Sequence, residues 1–213
     1  MTRRHHIQIT VVIVTGIVGV SAFHGAGLGK PNVMAVEKPN SIATDEPQTQ
    51  GDRFSPYVDA RGEISLPTGY RKKWAHLGSW AVAKKSGAAL HEMHDVYTQP
   101  ETIHAFKRTG EFPDGAVLVK EVHETKTDQL TTGHASWSTD IKIWFVMIKD
   151  REQRFKDNDH WGDGWGWALF EAKNPTKNVS VGYDSSCLSC HAPVEDSDWV
   201  YTYGYPDLSN AKQ

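Results

Sequence analysis

Cys187-Leu188-Ser189-Cys190-His191 uses the only two cysteines in the chain and sets a histidine directly behind the second. That spacing is the attachment signature of a c-type haem. Each thiol adds across one vinyl group of the macrocycle, and the histidine then lies beneath the iron as its axial ligand. Three other chemistries compete for these residues. A structural zinc site needs two more ligands, usually a second Cys/His pair at short spacing, and the chain has no further cysteine. A thioredoxin-like redox pair opens a helix near the start of a βαβ unit, whereas this motif lies near the C-terminal end. A disulfide across two residues leaves His191 without a role. Covalent haem is the reading that employs all three side chains.

Attachment of haem to such a motif takes place outside the cytoplasmic membrane, and the N-terminus agrees. Arg3 and Arg4 precede an apolar run from Ile7 to Phe23, and Val20-Ser21-Ala22 forms a small-residue exit. This is the pattern of a secretory signal. The run is about 17 residues long, the lower edge of what spans a bilayer, so an uncleaved anchor is the alternative. Residues 23–52 are rich in Pro, Asn, Thr and Gln without apolar periodicity and read as a disordered linker. Residues 53–213 then form one domain, large enough for its own core. A formal net charge of −3 argues against a nucleic-acid partner. Eight tryptophans, several in one segment, suggest aromatic walls around something flat.

The elements that must hold the motif are mixed. Pro100 to Gly110 is a punctuated helix, with Pro in the first turn, Glu101 early, Lys107 and Arg108 late, and Gly at the cap. Phe112-Pro113-Asp114-Gly115 makes a turn. Ala116–Val122, Ile141–Ile148 and Trp165–Phe170 are rich in β-branched and aromatic residues and read as strands, with a loop over 157–164. The expected class is α+β, mainly antiparallel sheet with a few peripheral helices. That excludes the small all-helical cytochromes c and the four-helix cytochrome c-prime bundle.

Several of these segments carry a resemblance. The run Tyr70-Arg71-Lys72-Lys73-Trp74-Ala75-His76-Leu77-Gly78 resembles the opening motif of the cytochrome P-460 family. Val96-Tyr97 before Pro100-Glu101, the stretch from Thr109 to Val122, Ile148-Lys149-Asp150 and Gly164-Trp165-Gly166-Trp167 continue it. The haem motif followed by Trp199-Val200-Tyr201 and Tyr205-Pro206 completes the order. The likeness spans about Ser65 to Leu208. It implies a secreted mono-haem protein, built on antiparallel sheet and commonly dimeric, with a five-coordinate iron. Such proteins act on small nitrogen compounds, either as hydroxylamine-oxidising cytochromes P-460 or as gas-binding cytochromes c-prime-beta. An oxidase of this kind hands its electrons to an acceptor cytochrome in the periplasm.

Two residues bear on that choice. Alternation along Ala116–Val122 puts Ala116, Leu118, Lys120 and Val122 on one face. A lysine there either snorkels to water at an edge or points at something that rewards it. The resemblance implies the second, because Lys120 falls where hydroxylamine-oxidising members bond a lysine nitrogen to the haem edge. Phe145 pulls the other way. It occupies the place where catalytic members present a glutamate, and a phenyl ring cannot relay protons. Glu92, His94 and Asp140 are alternative relays that the sequence does not place. Met147 and His123 are conceivable sixth ligands, disfavoured by strand register and by the family pattern.

Overall fold

The computed structural model describes residues 54–209. The expected signal segment (1–22) and linker (23–52) lie outside the described residues. Among the described residues no helix is long and apolar enough to cross a membrane.

The strands are β1 (Ala75–Ala83), β2 (Leu90–Thr98), β3 (Val117–Leu130), β4 (Gly133–Lys149), β5 (Trp161–Gly162), β6 (Trp165–Glu171) and β7 (Asn174–Asn178). They form one antiparallel sheet in the order β1-β2-β3-β4-β6-β5, with β7 pairing on β6. The helices are short and peripheral: α1 (Tyr70–Lys73), α2 (Pro100–Thr109), α3 (Tyr183–Ser186), α4 (Leu188–His191) and α5 (Pro206–Ser209). The α+β class with a mainly antiparallel sheet is therefore what the chain adopts.

Three strands lie where β-branched and aromatic runs place them, inside β3, β4 and β6. The first two extend further, meeting at the tight turn between Leu130 and Gly133. β1 and β2 carry no such signal. β1 contains Gly78 and two register shifts, while β2 reads Leu-His-Glu-Met-His-Asp-Val, with charge and imidazole on both faces. Their strand form comes from pairing, β1 with β2 and β2 with β3. The short β5 falls in the expected 157–164 loop. α2 keeps its sequence boundaries: Gly110 sits at φ 75 and its N–H returns to the Phe106 carbonyl at 2.7 Å.

β4 is apolar on both faces because both faces are covered. On one, Leu118, Val96, Met147, Trp165 and Trp167 pack with Ile103 and Phe106 of α2 and with Tyr183, Cys187, Trp199 and Val200 of the C-terminal segment. On the other, Val117, Val119, Val146, Ile148 and Phe170 pack under Val58, Ile64 and Tyr70 of the first described segment. Period-two alternation along each strand sorts the residues between these two layers.

Candidate functional site

Register sets the site. Val96, Lys120, Phe145 and Leu169 are direct partners across β2, β3, β4 and β6, so their side chains leave the same face in one row. Lys120 Nζ lies 4.3 Å from the centre of the Phe145 ring, within cation–π range. Burial lowers the Lys120 pKa from its usual value, with Cys190, Cys187 and Glu92 opposing. An amine in that state is closer to the neutral, nucleophilic form.

The C-terminal segment supplies the facing wall. Tyr183 opens α3 and accepts the Cys187 N–H, and Cys187 in turn accepts the His191 N–H at 3.2 Å. Two short helices thus set Cys187, Cys190 and His191 in sequence along one edge. His191 Nδ1 donates to the Trp199 carbonyl at 2.7 Å, and the ring packs edge-on against Trp167 at 4.7 Å. With Nδ1 carrying the proton, Nε2 keeps the lone pair that binds metal. Burial lowers the His191 pKa, the Trp199 bond opposing and the Lys120 charge assisting, which favours the neutral, ligating imidazole.

The accepting carbonyl is itself held under strain. Asp198 and Trp199 are consecutive non-glycine residues at φ 57 and φ 64, a left-handed conformation that costs about 1–3 kcal/mol each. Lys149 Nζ grips Asp198 Oδ1 at 2.6 Å, and the Trp165 indole N–H donates to the Asp198 carbonyl at 3.1 Å. This strap fixes the oxygen that orients His191.

Between the two walls lies a cavity of about 360 Å³. The sheet contributes His94, Val96, Leu118, Lys120, Phe145 and Trp167, and the facing wall contributes the haem motif. Its rim is Trp80, surrounded edge-on by Tyr201, Tyr203 and Tyr205 with ring centres 5.9–6.2 Å away. Gly204 permits this approach, since a Cβ there would collide with the Trp80 ring. The strands carrying Trp167 and His94 stand three spacings apart, about 14 Å, which is room for a flat macrocycle.

The geometry sorts the competing chemistries of the cysteines. Cys187 is buried and Cys190 exposed, and they form no disulfide. Burial pushes the Cys187 thiol up to about 11, the reverse of the depressed first cysteine of a redox pair. Among the described residues, the three-residue cluster with metal-binding spacing is Asp95, Glu121 and His123. Arg71 Nε and Nη2 already occupy both Glu121 oxygens at 2.5 and 2.6 Å, so this carboxylate serves an ion pair.

The remaining sequence candidates separate cleanly. Met147 faces the cavity. His123 faces the opposite side of the sheet, bonded to Glu121 at 3.1 Å, so it is no sixth ligand. Asp140 is exposed and lies outside the cavity lining, which removes it as a relay. His94 lines the cavity with Glu92 against it at 3.2 Å. The tryptophan-rich segment does not form one wall: Trp167 faces the cavity, while Trp161 packs in the opposite layer. Lys149, Tyr201 and Tyr205 lie in the segments that carry the resemblance, but their contacts with Asp198 and Trp80, like the position of Trp80 itself, arise only on folding.

The cytochrome P460 family model matches residues 67–202, which include Lys120, Phe145 and the whole Cys-x-x-Cys-His motif. The chain belongs to the cytochrome P460 family. A comparison with curated proteins gives no match. As a P460 cytochrome the protein is a haem protein, and its residues fit that group. They offer two free thiols, an imidazole with an oriented Nε2, and apolar aromatic walls. Haem iron supplies one-electron redox chemistry and an open coordination position when held by a single histidine. The P460 fold contributes the rest: it fixes the imidazole, encloses the cavity and places one amine and one phenyl ring on its floor.

Proposed function

We propose that the protein is a periplasmic mono-haem c-type cytochrome that oxidises hydroxylamine and binds nitric oxide at a five-coordinate iron. Cys187 and Cys190 would carry the haem through thioether bonds and His191 would ligate its iron. The observation that carries this reading is convergence. The haem motif on one wall and Lys120 with Phe145 on the other border the same cavity. The cavity is lined largely by apolar and aromatic groups, suited to a small substrate and to excluding water.

In this reading the Lys120 nitrogen bonds to the haem edge. Forming that link would replace one N–H and one C–H bond by an N–C bond and would need a two-electron oxidant such as hydrogen peroxide to take the two electrons and two protons. Turnover electrons go to an acceptor cytochrome, and the assembly is a homodimer. The amine's burial and lowered pKa support its nucleophilic part.

Phe145 favours a second reading, a gas-binding cytochrome of the c-prime-beta kind. Its ring lies against Lys120 where a proton-relaying carboxylate would be useful. An apolar floor admits an uncharged diatomic and discourages proton-coupled turnover.

Intact mass and tryptic mapping of the haem peptide test both covalent links together. A far-red ferrous Soret band with hydroxylamine-dependent reduction of an artificial acceptor supports the oxidase. An unshifted spectrum, tight nitric-oxide binding and no turnover assign the gas binder. N-terminal sequencing tests export: a mature chain starting near Phe23 supports cleavage, and Met1 in a membrane fraction supports the anchor.

A further inference from the structure

A phenyl ring at position 145 leaves the cavity needing another proton acceptor, and β2 provides one. His94 borders the cavity from β2, paired with Trp80 on β1 and Val122 on β3. Its Nε2 stands 3.2 Å from Glu92 Oε2, and the other Glu92 oxygen takes Lys142 Nζ at 2.7 Å. A carboxylate only accepts, so Nε2 carries the proton and Nδ1 holds a lone pair. Nδ1 has no hydrogen-bond partner among the described residues. Exposure rises along the series: the side chains of His94, Glu92, Lys142 and His91 are 18%, 20%, 34% and 41% exposed. The row runs from cavity wall to surface.

We propose that His94 accepts the proton leaving a small ligand in this cavity and that Glu92 passes it to solvent, the part a carboxylate at 145 cannot play. The choice of hydroxylamine as that ligand rests on the reading above. The transfer balances simply. The ligand's N–H or O–H bond breaks toward His94 Nδ1, and its electron pair stays with the ligand. The Nε2–H bond then breaks toward Glu92 Oε2, and water removes that proton at the surface. The ligand's electrons leave through the haem to the acceptor cytochrome.

The charges around His94 suit this part. Lys120 faces it from β3, Glu92 and Asp95 share its strand, and Lys142 of β4 stands behind Glu92. Trp80 on β1 is uncharged, while His191, Tyr201 and Tyr203 border the same cavity from the far wall. Burial, the largest cause, lowers the His94 pKa, the Lys120 charge adding to it wherever that amine is unlinked and Glu92 opposing, so the ring is neutral and able to accept at pH 7.

Stopped-flow cyanide binding to the ferric holoprotein tests the relay without any turnover. Hydrogen cyanide binds ferric iron as the anion, so it must give up a proton to a nearby base. We expect His94→Leu and His94→Gln to slow association at pH 7 about a hundredfold or more, with an unchanged resting Soret band reporting an intact site. Glu92→Gln should move the acid limb of the rate profile to lower pH, because His94 loses the carboxylate that stabilises its charged form. Wild-type rates and profiles in all three variants overturn the proposal, whatever their hydroxylamine activity. Slow cyanide binding in the His94 variants of a protein inert toward hydroxylamine upholds the relay and removes the substrate reading.

Discussion

Replacing Lys149 by methionine tests whether the strained turn behind His191 is held in place by a charge. The Lys149–Asp198 pair spans 2.6 Å, with side chains 11% and 26% exposed. Removing the ammonium leaves the Asp198 carboxylate with the Trp165 indole at 3.3 Å. Breaking a fully buried pair costs about 3–5 kcal/mol, whereas an exposed pair is worth about 0–1 kcal/mol. With a quarter of Asp198 in water, we place the cost at about 2 kcal/mol, a fall of about 4–8 °C in Tm for a domain of this size. The left-handed conformations of Asp198 and Trp199 store a comparable energy. The turn should therefore relax and carry the Trp199 carbonyl away from His191 Nδ1. That bond makes the imidazole a more basic ligand and is worth about 1 kcal/mol. Its loss raises the reduction potential of the holoprotein by about 40 mV, at about 59 mV per tenfold change for one electron. Thermal melts and redox titration of wild type, Lys149→Met, Asp198→Asn and the double variant measure both effects and the coupling between the two residues. A Tm within about 1 °C of wild type refutes the energetics. A lowered Tm with an unmoved potential makes the strap structural and refutes its positioning role.

Cys187→Ala with Cys190→Ala should yield protein without covalent haem, while either single change retains a weakly attached group; haem-staining of denatured protein reads the difference. Phe145→Glu, in protein whose Lys120 is haem-linked, should raise hydroxylamine oxidation about a hundredfold; without that link the new carboxylate pairs with the Lys120 ammonium 4.3 Å from the present ring centre and the gain disappears. Glu121 is a buried carboxylate whose burial pushes its pKa up, but the bonds from Arg71, Tyr70 and His123 outweigh this and leave it lowered. Its stabilisation is thus complete above the ordinary glutamate pKa of about 4.3 and is lost as pH falls below that value. Melts between pH 6 and pH 3 should show this acid loss in wild type and a flatter profile in Glu121→Gln; parallel profiles count against the assignment. Arg71→Ala should cost about 2–3 kcal/mol at pH 7 by stranding that charge, as read by chemical denaturation.

Much of the site's chemistry was local and therefore legible. Five consecutive residues, Cys187 to His191, carry the c-type haem expectation because both thiols and the imidazole would act within one stretch of chain. Period-two alternation put Lys120 with Leu118 and Val122, and the β4 pattern put Phe145 with Met147; both faces are as the strands present them. The helix Pro100–Thr109 was written in its own caps. What alternation along one strand cannot supply is which strands become neighbours and in what register. Only the β2–β3–β4–β6 pairing sets Lys120 opposite Phe145 and brings His94 and Glu92 to the cavity while leaving Asp140 exposed. The same pairing turns His123 to the far side, next to Glu121. Strands β1 and β2 were invisible because their polar and glycine-bearing sequences are stabilised by partners rather than by propensity. The Lys149 grip on Asp198 and the tyrosine rim around Trp80 join residues 49 to 125 positions apart. The sequence determined which side chains are available to hold a haem; the tertiary structure decided how they are aimed and what surrounds them, because aim depends on contacts between segments that no local pattern encodes.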